Sequence, residues 1–413
     1  MVSFSKFQTI PTSCAEFVHP WTESCSTAIT GIGIHALQES FRIYVTVYML
    51  ASIMRGRVPS QKEIKQTLVG IIISSIFLGT NAFAFPLFAC WLRKLFGHFN
   101  VLSVGFLPAF LASYVAILLE RPSRRGLLAL YVTNVATETL FRMAAWRGLV
   151  RPVPYGQVLI FSASIAALLY VYRGHQTKRD SVYSLLRFVV GPYEENGYVE
   201  NRADLPSMAD ARELQSSGDG DKIKRPGGTS KGLIHIVPTA CCRIYRRLLM
   251  AIQGLSRHTV CPHPFSCAYY TLQLMSCLLR RVFNRDSKFY AIPSGLLAGL
   301  AFGFFPDNTV ALYVMWKSLQ VIYSDSIQKG YVPQLPGGTI LLYSFSTAIL
   351  FHAGVLEPQN LRPSYWKFLH SLSGARIAVM DRKSLDAFGM DTSKALLEVL
   401  AKTNTYLVPY SEL

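Results

Sequence analysis

Acidic residues are scarce in this chain. Of its 413 residues only 24 are Asp or Glu, against 41 Lys or Arg, so the net charge is +17 although charged residues make up just 16%. Soluble globular domains carry roughly 25%, and a water-solvated surface is therefore not expected over most of the molecule. There is no Gly-rich phosphate loop, no Gly-x-Ser-x-Gly elbow and no His-Glu-x-x-His helix, and nothing argues for an enzyme. Eight cysteines without a Cys-x-x-Cys pair form neither a disulfide scaffold nor a compact zinc motif. No RNA- or DNA-binding motif accompanies the basic charge, so nucleic acid is not an expected partner; the charge reads as basic loops and contact with anionic membrane lipids. The N-terminal stretch has no apolar core before Ile32, which excludes a secretory signal. Ser411-Glu412-Leu413 puts an acid where a peroxisomal targeting tripeptide has a base.

What the chain has instead is apolar residues in long runs. Hydrophobic residues reach 51% with a mean hydropathy of +0.28, and runs near 20 residues match the hydrocarbon thickness of a bilayer. The reading is an all-α polytopic membrane protein with about nine transmembrane helices. Five fall at Ile32–Met54, Leu68–Leu92, Val104–Leu119, Leu127–Trp146 and Val158–Tyr172, and four at Phe265–Leu279, Phe289–Phe305, Thr309–Ile327 and Thr339–Leu356. Phe265–Leu279 is the shortest and weakest. Lys and Arg number four in 55–65, three in 121–125 and four in 173–187, but two each in 93–98 and 147–156. The positive-inside rule then places the first set in the cytoplasm or matrix and the N-terminus opposite.

The two groups of spans share a repeat. Ala129-Leu130-Tyr131-Val132 returns as Ala311-Leu312-Tyr313-Val314, an offset of 182. The same offset pairs Gly148 with Gly330, Pro154 with Pro336, Gly156 with Gly338, Ser162 with Ser344, Ser164 with Ser346 and Ala166 with Ala348, twelve identities in the ungapped stretch 129–166. Apolar helices match by composition; loop glycines and a proline do so less easily, and this indicates two parallel, duplicated helix units. The expected organisation is a Cys-containing segment at 1–31, a first transmembrane unit at 32–190, a disordered polar linker at 191–231, an interfacial amphipathic segment at 232–264, a second unit at 265–356 and a soluble tail at 357–413.

Several residue groups could carry function. Asn134, Glu138 and Arg142 repeat every fourth residue and form a polar stripe on one helix face. A mid-membrane charge costs roughly 2.5–3.5 kcal/mol by insertion scales, so the stripe lines a wet cavity for a substrate or lipid head group, or else is an internal Glu–Arg pair that fixes packing. Glu39 and Arg42 in the first span are three apart and can pair. Gly295, Gly299 and Gly303 make a smooth ridge for close helix packing, within the chain or across a homo-oligomer. Cys14, His19 and Cys25, and likewise Cys261, His263 and Cys267, offer ligand types that zinc takes; with their loose spacing, free thiols or a local disulfide are the expectation, and no metal or cofactor is assigned.

Certain runs carry a resemblance. Ser113–Leu128, with Glu120-Arg121-Pro122-Ser123-Arg124-Arg125-Gly126 at its centre, and Ala136–Met143 are similar to the transmembrane protein 135 family, as are Leu361–Leu369 and Ala378–Gly389. Ser13-Cys14, His19, Trp21 and Ser24-Cys25 resemble that family's cysteine-rich start. The resemblance implies a multi-pass protein of peroxisomal and mitochondrial membranes, linked to the balance of mitochondrial fission and fusion, to peroxisome organisation and to lipid and energy metabolism. A dynamin-related fission GTPase and peroxisomal membrane-protein import factors are the implied partners. It implies distant kinship with the mitochondrial inner-membrane protein-import translocases and carries over no catalytic residue. In the family pattern a longer insert precedes the Leu296–Leu300 region, where this chain has only Phe265–Leu279. The duplicated bundle also admits a different function, a lipid or metabolite conduit.

Overall fold

The computed structural model of the chain describes residues 8–54, 60–174, 264–283 and 287–406. The linker 191–231, the interfacial segment up to residue 263, and with it Cys261 and His263, lie outside the described residues, as does the side chain of Cys267. The described backbone is mostly helix. Its strands are the two-residue β1 (Thr9–Ile10) and β2 (Phe99–Asn100), paired antiparallel with Ile10 opposite Phe99.

Each of the nine apolar stretches is helical. After the single turn α1 (Cys14–Phe17) come α2 (Cys25–Met54), α3 (Gln61–Phe96), α4 (Phe106–Leu119), α5 (Pro122–Trp146) and α6 (Gly156–Gly174). The later helices are α7 (Pro264–Phe283), α8 (Ala291–Leu300, extended by short 3-10 turns), α9 (Asn308–Gln328) and α10 (Gly338–Leu356). Local chemistry sets several boundaries. Ser60 and Glu63 close a capping box at the start of α3, and Gly97 ends it in the left-handed region at φ 72°. Pro122 opens α5 at a position whose N–H has no intrahelical acceptor. Pro86 interrupts the apolar run but not the helix, which continues to Phe96. Three helices, α3, α6 and α10, are long and apolar enough to cross a membrane by length and composition, and α4 and α8 are shorter apolar helices.

By their internal contacts the described helices form two units, whose bounds differ from 32–190 and 265–356. One comprises 1–152 and 334–413, the other 153–333. In the first, α2 packs on α3, α3 on α4, and α10 closes against both α4 and α5. In the second, α6 packs on α8 and α9, and α7 on α8. Thus α6 packs with the later helices α8 and α9, and α10 with the earlier helices α4 and α5.

The turns leading into those two helices share their geometry. Gly148 and Gly330 both take positive φ, 71° and 76°. The N–H of Gly148 donates to Ala145 O at 3.0 Å and that of Leu149 to Ala144 O at 2.9 Å; Gly330 to Ile327 O and Tyr331 to Ser326 O repeat both distances. This is a Schellman-type helix end, which requires a residue tolerant of the left-handed region. Tyr155 and Gly337, again 182 apart, both have positive φ just before the next helix.

In the first unit the seam between α4 and α10 is built of small residues, while α2 and α3 carry large apolar side chains on their outer faces. Ala109, Ala112, Ser113 and Ala116 of α4 and Ser344 and Ala348 of α10 are wholly buried. Ile34, Phe41, Val47 and Leu50 of α2 and Leu68, Ile72 and Trp91 of α3 are exposed. Water would drive the opposite distribution; lipid removes that drive and rewards close backbone approach. Ser113 Oγ, bonded to Ala109 O, also reaches Ser344 O at 3.3 Å, and Thr133 and Ser346 hydroxyls meet at 3.0 Å. In the second unit Ser318 Oγ donates to Ser164 O at 3.1 Å in the same manner.

Residues 357–403, read from sequence as a soluble tail, are folded onto the first unit. After α10 come a 3-10 turn (Pro358–Asn360), α11 (Pro363–Leu372), α12 (Arg376–Val379), a second 3-10 turn (Lys383–Phe388) and α13 (Thr392–Thr403). Trp366, Leu361 and Leu385 are buried in the same core as Phe77, Phe85 and Leu350 of the bundle. The amphipathic pattern of this segment is therefore a docking face. Buried Arg382 donates to Gly354 O at 3.2 Å and Val355 O at 3.3 Å, capping the C-terminal carbonyls of α10, and to Ile377 O of α12 at 2.9 Å; burial draws its pKa down to about 10, so it stays charged at neutral pH.

Candidate functional site

The stripe on α5 is built into the joint between the bundle and this C-terminal cap. Asn134 and Glu138 are buried, and Arg142 is half-buried one turn further on. Glu138 Oε1 accepts from Arg142 Nη2. Its other oxygen accepts from Arg362 Nε at 3.0 Å and from Arg362 Nη2. Arg362 is the N-cap residue of α11, and Arg142 Nη1 also donates to Leu361 O at 3.4 Å. A second, oppositely oriented link lies nearby: Arg147, just past α5, pairs with Glu357, just past α10. Asn360 Nδ2 donates to the other Glu357 oxygen at 2.9 Å. Two Glu–Arg links of reversed polarity thus fix the register of the cap on α5.

Both oxygens of Glu138 are occupied by guanidinium donors, which leaves the carboxylate poorly placed to transfer a proton or hold a cation. Of the two sequence readings of the stripe, the geometry favours the packing pair, enlarged by a partner 224 residues away. An apolar pocket of about 60 Å³ in this unit, lined by Val18, Ile32, Phe85, Phe351, Leu369 and Met380, includes none of the stripe residues. Ligand pockets start at roughly 300 Å³.

A second buried carboxylate, absent from the sequence reading, sits at the other end of α5. Glu120 is 1% exposed and accepts from Ser74 Oγ at 3.0 Å and from the Arg121 N–H at 3.0 Å. Arg124 lies 3.6 Å away, donates to Tyr48 OH at 3.0 Å and stacks over the Tyr44 and Tyr48 rings. Arg125 donates to the carbonyls of Glu120 and Leu118. The basic hinge therefore also binds α2, α3 and α4 together. The four-residue spacing of Glu120 and Arg124 was the available signal.

The first-span pair forms at 2.9 Å, but the Arg42 side chain is 78% exposed. Exposed i,i+3 pairs contribute about 0.3–0.5 kcal/mol. Arg42→Gln is accordingly expected to leave the melting temperature of the purified protein unchanged within about 2 °C; a larger fall would mean that Arg42 has a partner beyond Glu39.

In the second unit Gly295 and Gly299 face α6. A Cβ on Gly295 would lie 2.5 Å from Ala166 Cα, and one on Gly299 2.4 Å from Ser162 Cα. Gly303 is looser, with Val158 at 4.0 Å. The ridge is a seam within this chain.

The N-terminal residues converge most closely. Cys14 opens α1, Cys25 opens α2, and Cys90 lies two turns before the end of α3; their three sulfurs fall within 4.8 Å of one another. All three are free thiols. His19, fully buried, places Nε2 3.2 Å from Cys25 Sγ, and its Nδ1 lies 2.9 Å from Thr22 O. The Cys14 thiol is pushed down to about 6, first by the hydrogen bond with Cys90, with His19, Cys25 and Arg93 adding to it against burial. Cys90 was missed from sequence because it stands 65 residues from Cys25 inside an apolar run.

Apolar helices long enough to cross a membrane, small-residue seams between them and large apolar side chains on their outer faces define a helical membrane protein. Residues 11–145 match the family model described as the N-terminal cysteine-rich region of Transmembrane protein 135. Over that region, about a third of its length, the chain is similar to the transmembrane protein 135 family. No solved structure matches it.

Proposed function

We propose that this chain is a non-enzymatic, nine-span protein of peroxisomal and mitochondrial membranes that regulates the balance of mitochondrial fission and fusion, peroxisome organisation and lipid metabolism. It does so as a platform: the membrane bundle holds a folded cap that meets soluble partners, a dynamin-related fission GTPase first among them. The observation that carries this reading is the double Glu–Arg joint, Glu138 with Arg362 and Arg147 with Glu357, which gives residues 357–403 one fixed pose on the bundle. A segment that only trails from a membrane needs no such register. The organelles and the processes come from the family resemblance. The closed stripe and the small apolar pocket weigh against the conduit reading.

The test uses cells that lack the protein. The wild-type chain, and a chain with Lys394→Glu and Lys402→Glu on the exposed face of α13, are expressed at equal levels. Recruitment of the fission GTPase to organelles is expected to be restored by the first and reduced several-fold by the second. Full restoration by both, in a chain that also lacks residues 191–231, would defeat the platform reading.

The architecture proposed with it is a duplication in which two four-helix units, α3 to α6 and α7 to α10, have exchanged their last helices. What supports this is the pair of matched turns at Gly148 and Gly330, the helices α4 and α8 at the same offset, and the two unit boundaries, which fall at corresponding places beside Pro152 and Pro333.

A further inference from the structure

We propose that Cys14, His19, Cys25 and Cys90 form a structural site for one thiophilic divalent cation, zinc by ligand type. The inference does not depend on the regulatory reading above.

Geometry comes first. Three sulfurs within a 4.8 Å limit are close to what one ion imposes: with Zn–S near 2.3 Å, tetrahedral thiolates stand about 3.8 Å apart, and a thiolate and an imidazole nitrogen roughly 3.6 Å apart. Iron–sulfur clusters spread their cysteines more widely, so the mononuclear site fits better. The His19 ring is already prepared as a ligand. A carbonyl oxygen can only accept, so the 2.9 Å contact with Thr22 O places the proton on Nδ1 and leaves the Nε2 lone pair directed at Cys25 Sγ. Histidines that bind zinc are held in this way by a carbonyl behind the ring.

The surroundings suit an ion as well. Antiparallel α2 and α3 bring the first residue of one beside the last turns of the other, which is how Cys25 and Cys90 meet. Cys14 is placed by independent contacts. Ser13 and Glu16 cap α1, Phe17 packs on Phe99 at 5.1 Å, and β1 pairs with β2. Arg93, one turn beyond Cys90, anchors the same segment through Thr12 O and Pro11 O, both at 2.7 Å. Its positive charge lies beside a site that three thiolates, one imidazole and a divalent cation would leave at −1. A disulfide would use two of the three sulfurs and give no role to the third or to the oriented ring. Binding releases the three thiol protons as the Zn–S bonds form, with no change of oxidation state. The ion would staple the N-terminal segment and the start of α2 to the end of α3.

The experiment is metal analysis of the full-length protein, purified in detergent under reducing conditions from cells grown with added zinc chloride. Roughly one zinc per chain is expected. Cys14→Ser, Cys25→Ser and Cys90→Ser should each lose it, and His19→Ala should weaken binding by about 10-fold or more, while the double variant Cys261→Ser/Cys267→Ser keeps it. Should a serine variant fail to fold, cobalt(II) added to the metal-stripped wild-type protein answers the same question: a tetrahedral thiolate site gives strong visible ligand-field bands and sulfur-to-cobalt charge transfer. Wild-type protein with background zinc and no such bands, or one in which two of the three sulfurs are found as a disulfide directly after lysis, would overturn the site. Full zinc in the Cys90→Ser variant would do the same.

Discussion

Glu138→Ala is expected to free the C-terminal cap while leaving the chain in the membrane. The carboxylate is 8% exposed and joins two guanidinium groups, Arg142 on its own helix and Arg362 at the head of α11. Removing one member of a buried pair leaves its partners desolvated without compensation, typically a loss of 3–5 kcal/mol. Arg362 keeps 17% of its side-chain exposure and can rehydrate in part, so the loss belongs at the lower end, about 3 kcal/mol. Most of it should fall on one segment. Limited proteolysis of the purified protein is expected to cut within residues 357–403 at least ten times faster in the variant, about the factor that 1.4 kcal/mol gives, with the α3 and α4 region still protected. Glu138→Gln should fall between, because an amide oxygen still accepts from a guanidinium but carries no charge. Arg142→Leu should do less, since that side chain is 34% exposed and its contact with the cap is a 3.4 Å bond to Leu361 O. Adding Arg362→Ala to Glu138→Ala should cost less than the two single losses summed, the signature of a direct pair. If Glu138→Ala leaves the cap as resistant as wild type, the joint does not hold it.

How much of this could be read from the sequence depends on how far apart the interacting residues stand. The helices were legible because lipid selects for apolar runs, and a run can be seen without knowing its neighbours. The stripe on α5 was legible as a stripe: helical spacing alone puts Asn134, Glu138 and Arg142 on one face. Its meaning was not, because Arg362 sits 224 positions away in a segment whose charge pattern also suits a solvated tail. Cys90 was hidden for a similar reason. A cysteine in an apolar helix is ordinarily a small hydrophobe, and only the antiparallel packing of α2 and α3 turns it toward Cys14 and Cys25. The grouping of helices was unreadable for a different reason. Ser162, Ser164 and Ala166 of α6 recur as Ser344, Ser346 and Ala348 of α10. Two helices that present the same small-residue face fit either bundle equally well on pattern. The identities at offset 182 do not say which helices each of the two packs against.

That shared face leads to the other large effect. Gly299→Val is expected to break the contact between α8 and α6, whereas Gly303→Ala should be tolerated. At Gly299 the added carbon would stand 2.4 Å from Ser162 Cα and 2.7 Å from its Cβ; at Gly295 it would stand 2.5 Å from Ala166 Cα and 2.8 Å from its N. Real Cβ contacts of that kind are essentially never shorter than 3.0 Å. The nearest obstructing atom at each position is a backbone Cα, so no rotamer change relieves the clash and the helices must separate. Overpacking of a close-packed interior typically costs 1–3 kcal/mol, and a clash with backbone in a seam of small residues belongs at the top of that range. Separation also pulls Ser318 Oγ on α9 away from Ser164 O, since α6 is the helix that α8 and α9 share. A Cβ on Gly303, which lies in the 3-10 turn that follows α8, would have its nearest neighbour at 4.0 Å, so an alanine there meets no clash. The measurement is the thermal midpoint in detergent, followed by fluorescence-detected size exclusion. Gly299→Val and Gly295→Val are expected to melt well below wild type, and Gly303→Ala at or above it. Equal midpoints for Gly299→Val and Gly303→Ala would mean that α6 does not pack on the glycine ridge, and the exchange of last helices would fail with it, because α6 would then have no claim to the second unit.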